Sequence, residues 1–225
     1  MLKSLLRSVT SERSLRLLEV GSGTGNYIIA LSDLTRHPCW GVEPSAQMLA
    51  RARERSSSVD FRQGQAEHLD FPDASFDLVF SVDVIHHVSD CTAYFREAFR
   101  VLKPGGRVCT VTDSEEMIRR RKPLSQYFPE TVPLELQRYP RIADLRQSMG
   151  QAGFRSVQEE AIEFPYPLHN VQVYRDRAFS VLHLIPDDVF QTGLERMEMD
   201  LRNGPIQAVS YYLLLWGMRP YASVN

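Results

Sequence analysis

The segment Gly21-Ser22-Gly23-Thr24-Gly25 has a residue pattern that suits the binding of a nucleotide-type ligand. Its glycines allow a tight turn, and they let a ligand approach the main chain because no Cβ stands in the way. The helix predicted just after the loop would add free N–H groups and a partial positive charge. The loop alone leaves a nucleotide-type cofactor and a purely structural turn both open. Its lack of Lys and Arg argues against a phosphate-binding P-loop, in which a lysine is expected.

An acidic residue, Glu43, lies about 20 residues past this loop, at the end of the second predicted strand. The two oxygens of a carboxylate match the vicinal hydroxyl groups of a ribose, so an acid at this place can bind a nucleoside. The alternative is a solvated acid beside the turn Glu43-Pro44-Ser45. In combination with the glycine loop, the position favours ribose binding.

The whole chain has 225 residues and a formal net charge of −2. It is long enough for one α/β domain and has no bulk attraction to nucleic acid or to an anionic membrane. It has neither the run of ~20 apolar residues that a membrane span needs nor the apolar region of a secretory signal. The three cysteines, Cys39, Cys91 and Cys109, are far apart and lack metal-ligand spacing. We expect reduced thiols, a cytoplasmic location, no bound metal, no nucleic-acid partner and no membrane span.

The elements that must position these residues alternate between strands and helices in the first half of the chain, which predicts a parallel sheet with right-handed crossovers. Lys103-Pro104-Gly105-Gly106 is expected to end a helix and to precede the fifth strand. The predicted strands cover residues 16–20, 37–43, 59–63, 76–81 and 107–112, and the predicted helices cover residues 26–34, 45–54 and 91–102.

The second half is less regular. Pro123, Pro129 and Pro133 predict an interrupted excursion over 115–139 with one helical turn, because proline breaks helices. We find no linker and expect a single domain over 1–225, with a core at about 15–112 and cap insertions at about 115–140 and 165–205. Beyond the excursion, we predict helices over 142–152, 171–185 and 187–202, a strand over 155–164 that Pro165 and Pro167 end, and a last strand over 206–218.

Five segments, in order, resemble the class I S-adenosylmethionine-dependent methyltransferases, and most closely the branch that acts on small molecules and in quinone biosynthesis. The resemblance covers roughly residues 15–112 and implies an α/β fold. It implies a Rossmann-like, doubly wound, seven-stranded and mostly parallel sheet with an antiparallel last strand and a helical cap insertion. The segments are Leu17–Gly25, Gly41–Ser45, Gly64–Leu69 with Phe71, Phe76–Ser81 and Val101–Arg107.

The resemblance implies S-adenosylmethionine as the cofactor and assigns its binding to residues at the ends of four strands. Glu19 matches the acid near the methionine amino group, and Glu43 matches the acid that binds the ribose. Gln65 stands where the family usually has an aspartate that accepts from the adenine amino group, and an amide can also accept there. The other implied cofactor-binding residues are Gly21, Ser22 and Gly23 in the loop, Pro44 and Met48 at the adenine edge, Ala66 and Glu67 after Gln65, and Ser81 near the methionine part.

Methyl transfer is an in-line displacement in which alignment supplies much of the acceleration. A base is needed only where the acceptor must lose a proton, and His86, with His87 beside it, is the candidate. A His-His-Val turn is also a common feature of this branch without a general catalytic role. The charge run from Arg119 to Lys122 fits either a solvated surface or an anionic acceptor. Aromatic and histidine residues that either line an acceptor pocket or pack in a core are Tyr127, Phe128, Tyr139, Tyr166, His169, Tyr174 and His183.

One departure concerns the lid that family members usually build from helices before the first strand. Only about 15 residues precede that strand here, so we predict that 115–140 and 171–202 cover the site instead. The expected function is methyl transfer to a small-molecule acceptor, whose identity and reacting atom stay open, as does the oligomeric state. The alternatives are a non-catalytic protein that binds the cofactor and, with less support from the loop spacing, a nicotinamide-dependent oxidoreductase.

Overall fold

A computed structural model describes residues 1–9 and 14–221. Its seven strands form one sheet in the order β3-β2-β1-β4-β5-β7-β6. The strands are β1 (Leu17–Val20), β2 (Cys39–Glu43), β3 (Val59–Gln63), β4 (Phe76–Val82), β5 (Leu102–Thr112), β6 (Arg155–Leu168) and β7 (Ile206–Met218). The helices are α1 (Leu2–Val9), α2 (Asn26–Thr35), α3 (Ala46–Arg55), α4 (Cys91–Val101), α5 (Glu115–Arg120), α6 (Leu124–Tyr127), α7 (Thr131–Arg138), α8 (Ile142–Ala152), α9 (Gln172–Arg175) and α10 (Asp187–Leu201).

The sheet confirms the predicted fold class. Strands β1 to β5 pair in parallel, and β7 is the antiparallel strand of the mixed sheet. The inner strand β1 is buried along its whole length, between β2 and β4. A strand covered on both faces reads as a continuous apolar run, and this is why the 16–20 segment is recognisable in the sequence.

Two predicted boundaries around prolines were wrong. The excursion after β5 holds three helices instead of one turn, because Pro123 lies just before α6 and Pro133 lies in the first turn of α7, where no helical hydrogen bond is lost. Strand β6 continues through Pro165 and Pro167 to Leu168. It is the edge strand of the sheet, and an edge strand tolerates residues that cannot donate a backbone hydrogen bond.

Two further predictions need correction. Lys103-Pro104-Gly105-Gly106 does not separate α4 from β5, since β5 begins at Leu102 and these residues form an irregularity within it, between the pairs Phe76–Leu102 and Leu78–Arg107. Gly105 has a φ of +81° there, which glycine adopts without strain. The helix predicted over 171–185 is only α9 and a 3₁₀ turn at Ser180–His183, because Arg177 leaves the helical conformation with a φ of +47°.

The described chain forms two compact units. The first contains Met1–Thr112, Ala143–Glu160 and the chain from Leu214 onward, and the second contains Asp113–Ile142 and Ala161–Leu213. The second unit has a hydrophobic core of its own, in which Phe128 stacks on Tyr174 and Phe190 with ring centroids 6.0 and 5.8 Å apart. Tyr127, Phe128 and Tyr174 are therefore core residues of that unit.

Candidate functional site

A cavity of about 250 Å³ lies in the first unit and is lined by residues that follow β1, β2, β3 and β4. Ligands of open α/β sheets bind at this edge, where the carboxyl ends of parallel strands meet. Five of the predicted cofactor-binding residues line it, together with five others, of which the sequence had singled out only His87, as a neighbour of the candidate base His86. The predicted ones are Gly21, Pro44, Gln65, Ala66 and Glu67, and the others are Gly64, Val84, His87, Val88 and Ser89.

The glycine loop after β1 has a backbone that only glycine adopts easily. Gly21, Gly23 and Gly25 have φ values of +72°, +53° and +82°. A Cβ on Gly21 would lie 2.3 Å from a methyl carbon of Val84, so the loop and the segment after β4 are in closer contact than any side chain would permit. Among the loop residues Gly21 lines the cavity, and its lack of a side chain leaves the main chain there accessible.

Glu43 is buried at the end of β2 and holds the glycine loop. Its Oε2 accepts a hydrogen bond from the Gly23 N–H at 2.9 Å, and its Oε1 accepts one from the Ser45 N–H at 3.0 Å. Ser45 in turn caps α3 by accepting from the Met48 N–H at 3.3 Å. One carboxylate thus couples the loop after β1 to the turn after β2.

Glu19 is fully buried in the sheet, and its Oε2 accepts a hydrogen bond from the Ile28 N–H near the start of α2 at 3.0 Å. Burial raises the pKa of this carboxyl well above its ordinary value, and the nearby charge of Glu43 raises it further. The backbone hydrogen bond opposes this shift without cancelling it. Glu19 is not among the residues that line the cavity, and its charged form lacks a cationic partner among the groups that shift its pKa.

Ser22 and Met48 take different places. The Ser22 hydroxyl is buried without a hydrogen-bond partner and lies 2.8 Å from where a Cβ on Gly41 would be, so it points toward β2. Met48 is 46% exposed on α3, with its sulfur 4.0 Å from a Cβ built on Gly23. Neither side chain is among the residues that line the cavity.

The segment after β3 reaches the segment after β4 through Glu67. Its Oε1 accepts hydrogen bonds from the Ser89 N–H at 2.9 Å and from the Ser89 hydroxyl at 2.7 Å. Burial acts to raise the pKa of Glu67, but the hydrogen bonds from Ser89 and from the backbone N–H groups of Glu67 and Asp90 together outweigh it and leave the pKa below its ordinary value. Gln65 is exposed beside it, and its backbone carbonyl oxygen accepts from the His68 N–H at 3.3 Å.

Ser81, near the end of β4, is buried away from the cavity lining. Its hydroxyl accepts a hydrogen bond from the Tyr94 hydroxyl at 3.1 Å and lies 3.5 Å from the hydroxyl oxygen of Thr110 on β5. The structure therefore connects Ser81 to α4 and β5.

The two histidines lie in a 3₁₀ turn after β4, with ring centroids 4.0 Å apart. His87 lines the cavity, and His86 is half-buried next to it.

Among the described residues, no group of His, Cys, Asp and Glu side chains is arranged to hold a metal ion. Within the same residues, no helix has the length and apolar character to cross a membrane.

Two residues of the basic run, Arg120 and Arg121, form ion pairs within the second unit. Arg121 pairs with Asp113 and with Glu135, and Arg120 pairs with Glu163 at 2.6 Å. Glu135 also binds Arg138 at 3.1 Å. This pairing favours the structural interpretation of the run over a free cluster for an anionic acceptor.

Comparison with known proteins is consistent with this geometry. Residues 18–110 match the family described as the methyltransferase domain. Demethylmenaquinone methyltransferase of Deinococcus radiodurans is 33% identical over 173 residues, which are 73% of this chain and 67% of that protein. 27-O-demethylrifamycin SV methyltransferase of Amycolatopsis mediterranei is 35% identical over 99 residues, and there the match spans 41% of this chain and only 36% of the relative.

Solved structures share the architecture. The crystal structure of the YcgJ protein from Bacillus subtilis superimposes with a TM-score of 0.66 at 22% identity, covering 98% of both chains. At this identity the likeness concerns the fold.

Proposed function

This chain belongs to the S-adenosylmethionine-dependent methyltransferases, and from that premise we propose that its cavity at the ends of β1 to β4 binds the cofactor for methyl transfer to a small-molecule acceptor. The observation that carries the proposal is the joint placement of the left-handed glycine loop and the Glu43 carboxylate at one edge of the sheet.

Glu43 is proposed to bind the ribose hydroxyls. Its two oxygens each accept one backbone hydrogen bond, while a carboxylate has about four lone-pair sites. The remaining capacity suits two hydroxyl donors on adjacent carbons. Because the same carboxylate holds Gly23, ribose binding and loop geometry depend on one residue.

Glu19 is proposed to bind the amino group of the cofactor's methionine part. Its carboxyl is buried, and burial raises its pKa, so a cationic ligand group would compensate the desolvated charge. Ser22 and Gly23 would contribute through the main chain of the loop. Ser81 would affect the same end of the cofactor indirectly, by positioning the end of β4, because its hydroxyl accepts a hydrogen bond from Tyr94.

The adenine edge is assigned to Pro44 and Met48 after β2 and to Gln65, Ala66 and Glu67 after β3. Gln65 is exposed and near the cavity, so its amide is available to accept from an amino group. Pro44 and Ala66 supply apolar surface for a planar ring.

When bound, S-adenosylmethionine supplies an electrophilic methyl group on a positively charged sulfur. The residues of this chain bind and orient it, and positioning of this kind supplies much of the rate acceleration in an in-line displacement. Where the acceptor loses a proton, His86 is proposed as the base, with His87 beside it on the cavity wall.

Titration calorimetry tests the cofactor. We expect binding of S-adenosylmethionine and S-adenosylhomocysteine and no binding of NAD, and binding of NAD alone would overturn the proposal. Transfer is tested by following S-adenosylhomocysteine formation with a panel of small-molecule acceptors. Tight binding without transfer to any of them would favour the non-catalytic, cofactor-binding alternative.

A further inference from the structure

Two chain segments that line the cavity come from strands that are not neighbours. Gly64–Glu67 follows β3 and Val84–Ser89 follows β4, while β2 and β1 lie between these strands in the sheet. Three interstrand spacings of ~4.8 Å separate β3 from β4 by about 14 Å. For the two segments to touch, they must extend across the ends of β1 and β2, where the glycine loop and Glu43 lie.

Glu67 and Ser89 make this contact. The Oε1 atom of Glu67 accepts from both the backbone N–H and the hydroxyl of Ser89, at 2.9 and 2.7 Å. Both residues also line the cavity. We call this pair of hydrogen bonds the rim contact.

A second connection holds the same two regions farther from the cavity. On α4, Glu97 accepts from the Leu69 N–H at 2.8 Å, and Arg100 donates to the carbonyl oxygens of Leu69 and Phe71 at 2.7 Å. The loop after β3 is therefore fastened to α4 independently of Glu67. Loss of the rim contact would free the cavity edge without detaching the loop from the protein.

We infer that Glu67 is a positioning residue whose contact with Ser89 closes the cavity over the adenosine part of the cofactor and thereby slows cofactor release. This inference rests on the proposed cofactor site. It assigns the Glu67 carboxylate to the protein's own Ser89 and leaves the contact with the ligand to the main chain around Ala66.

The test compares Glu67→Ala with Glu67→Gln, with Glu54→Ala on the exposed face of α3 as the matched control. The amide oxygen of Gln still accepts from Ser89, whereas Ala removes both hydrogen bonds. For Glu67→Ala, stopped-flow measurement with S-adenosylhomocysteine should show dissociation about tenfold faster, equivalent to ~1.4 kcal/mol, with the association rate nearly unchanged. Glu67→Gln should restore most of the wild-type rate, and Glu54→Ala should match wild type.

Hydrogen exchange on the ligand-free proteins tests the contact without any cofactor. The Ser89 amide should exchange faster in Glu67→Ala, while the Leu69 amide, held by Glu97, should keep its protection. An unchanged Ser89 amide, or a dissociation rate within twofold of wild type, would overturn the inference. Absence of S-adenosylhomocysteine binding by the wild-type protein would instead reject the proposed function, so the two failures are distinguishable.

Discussion

Individual acids at the strand ends hold neighbouring elements together through backbone hydrogen bonds. Glu19 accepts from the start of α2, and Glu43 accepts from the glycine loop and from the turn that caps α3. A buried carboxylate without a cationic partner is costly to ionise. Sites that retain such groups commonly lose folding stability in return for function. At Glu19 both the stability and the ligand affinity can be measured on one substitution.

Substitution of Glu19 by Gln should change the folding stability and the affinity for S-adenosylmethionine in opposite directions. Burial raises the folded-state pKa of Glu19, so the folded protein holds a proton that the unfolded chain releases once the pH exceeds the ordinary carboxyl pKa. Stability from this group is therefore present at low pH and is lost as the pH rises toward the folded-state pKa. The Tm of Glu19→Gln relative to wild type should increase between pH 5 and pH 8, while its Kd for S-adenosylmethionine should rise.

Thermal melts across this pH range and calorimetry at pH 8 provide the measurements, with Glu54→Gln as the control. A Tm difference that stays constant with pH would contradict the assigned cause. Unchanged affinity would remove Glu19 from the proposed methionine end of the site.

At the scale of elements, close approach of a neighbouring side chain explains the glycine in α10 but not the glycine in α8. Gly193 in α10 faces Phe128, and a Cβ there would lie 2.4 Å from a ring carbon and 2.7 Å from the Tyr127 carbonyl oxygen. Gly150 in α8 has no atom within 4 Å of the corresponding position. The same substitution should thus have opposite effects in the two helices.

Gly193→Ala should destabilise the protein by about 1–3 kcal/mol through overpacking against Phe128. This cost outweighs the stabilisation of roughly 0.5–1 kcal/mol that alanine gives relative to glycine in a helix interior. Gly150→Ala, which meets no neighbouring atom, should show that full stabilisation. Urea unfolding followed by circular dichroism measures both changes. Equal effects from the two substitutions would show that helix propensity, and not packing against Phe128, determines the outcome.

On the scale of the whole molecule, the chain returns twice from the second unit to the first, and each unit has its own buried residues. The segments 115–140 and 171–202, which were expected to cover the site, both belong to the second unit. Their coverage of the site stays a prediction. Segments that close over a ligand exclude water and complete the site when it binds.

Limited proteolysis with and without S-adenosylhomocysteine tests this prediction. We expect cleavage within 115–140 and 171–202 to slow when the ligand is present, because a closed segment is less accessible to the protease. Cleavage in the exposed part of α3 serves as the internal reference. If neither segment gains protection at saturating ligand, these segments do not form the lid.

Much of the fold was predictable because its signals are local. The predicted limits of β3, α8 and β7 coincide with the structure at both ends, since turn residues and apolar periodicity mark them within a few residues. The errors at Pro133, Pro165 and Arg177 have a common origin. A proline is tolerated in the first turn of a helix or in an edge strand, and a left-handed Arg backbone depends on the residues packed around it. The periodicity of apolar residues along the chain encodes none of these.

The sequence by itself determined the family, the alternation of strands and helices in the first half, and the strand ends at which Glu19 and Glu43 lie, because glycine loops and buried strands are set by neighbouring residues. Only the tertiary structure decided what those side chains contact. Gly21 and Glu67 illustrate the reason, since Val84 and Ser89 reach them from another strand, 63 and 22 positions away in the chain. Such contacts depend on which strand ends the fold brings together, and this is a property of the folded molecule.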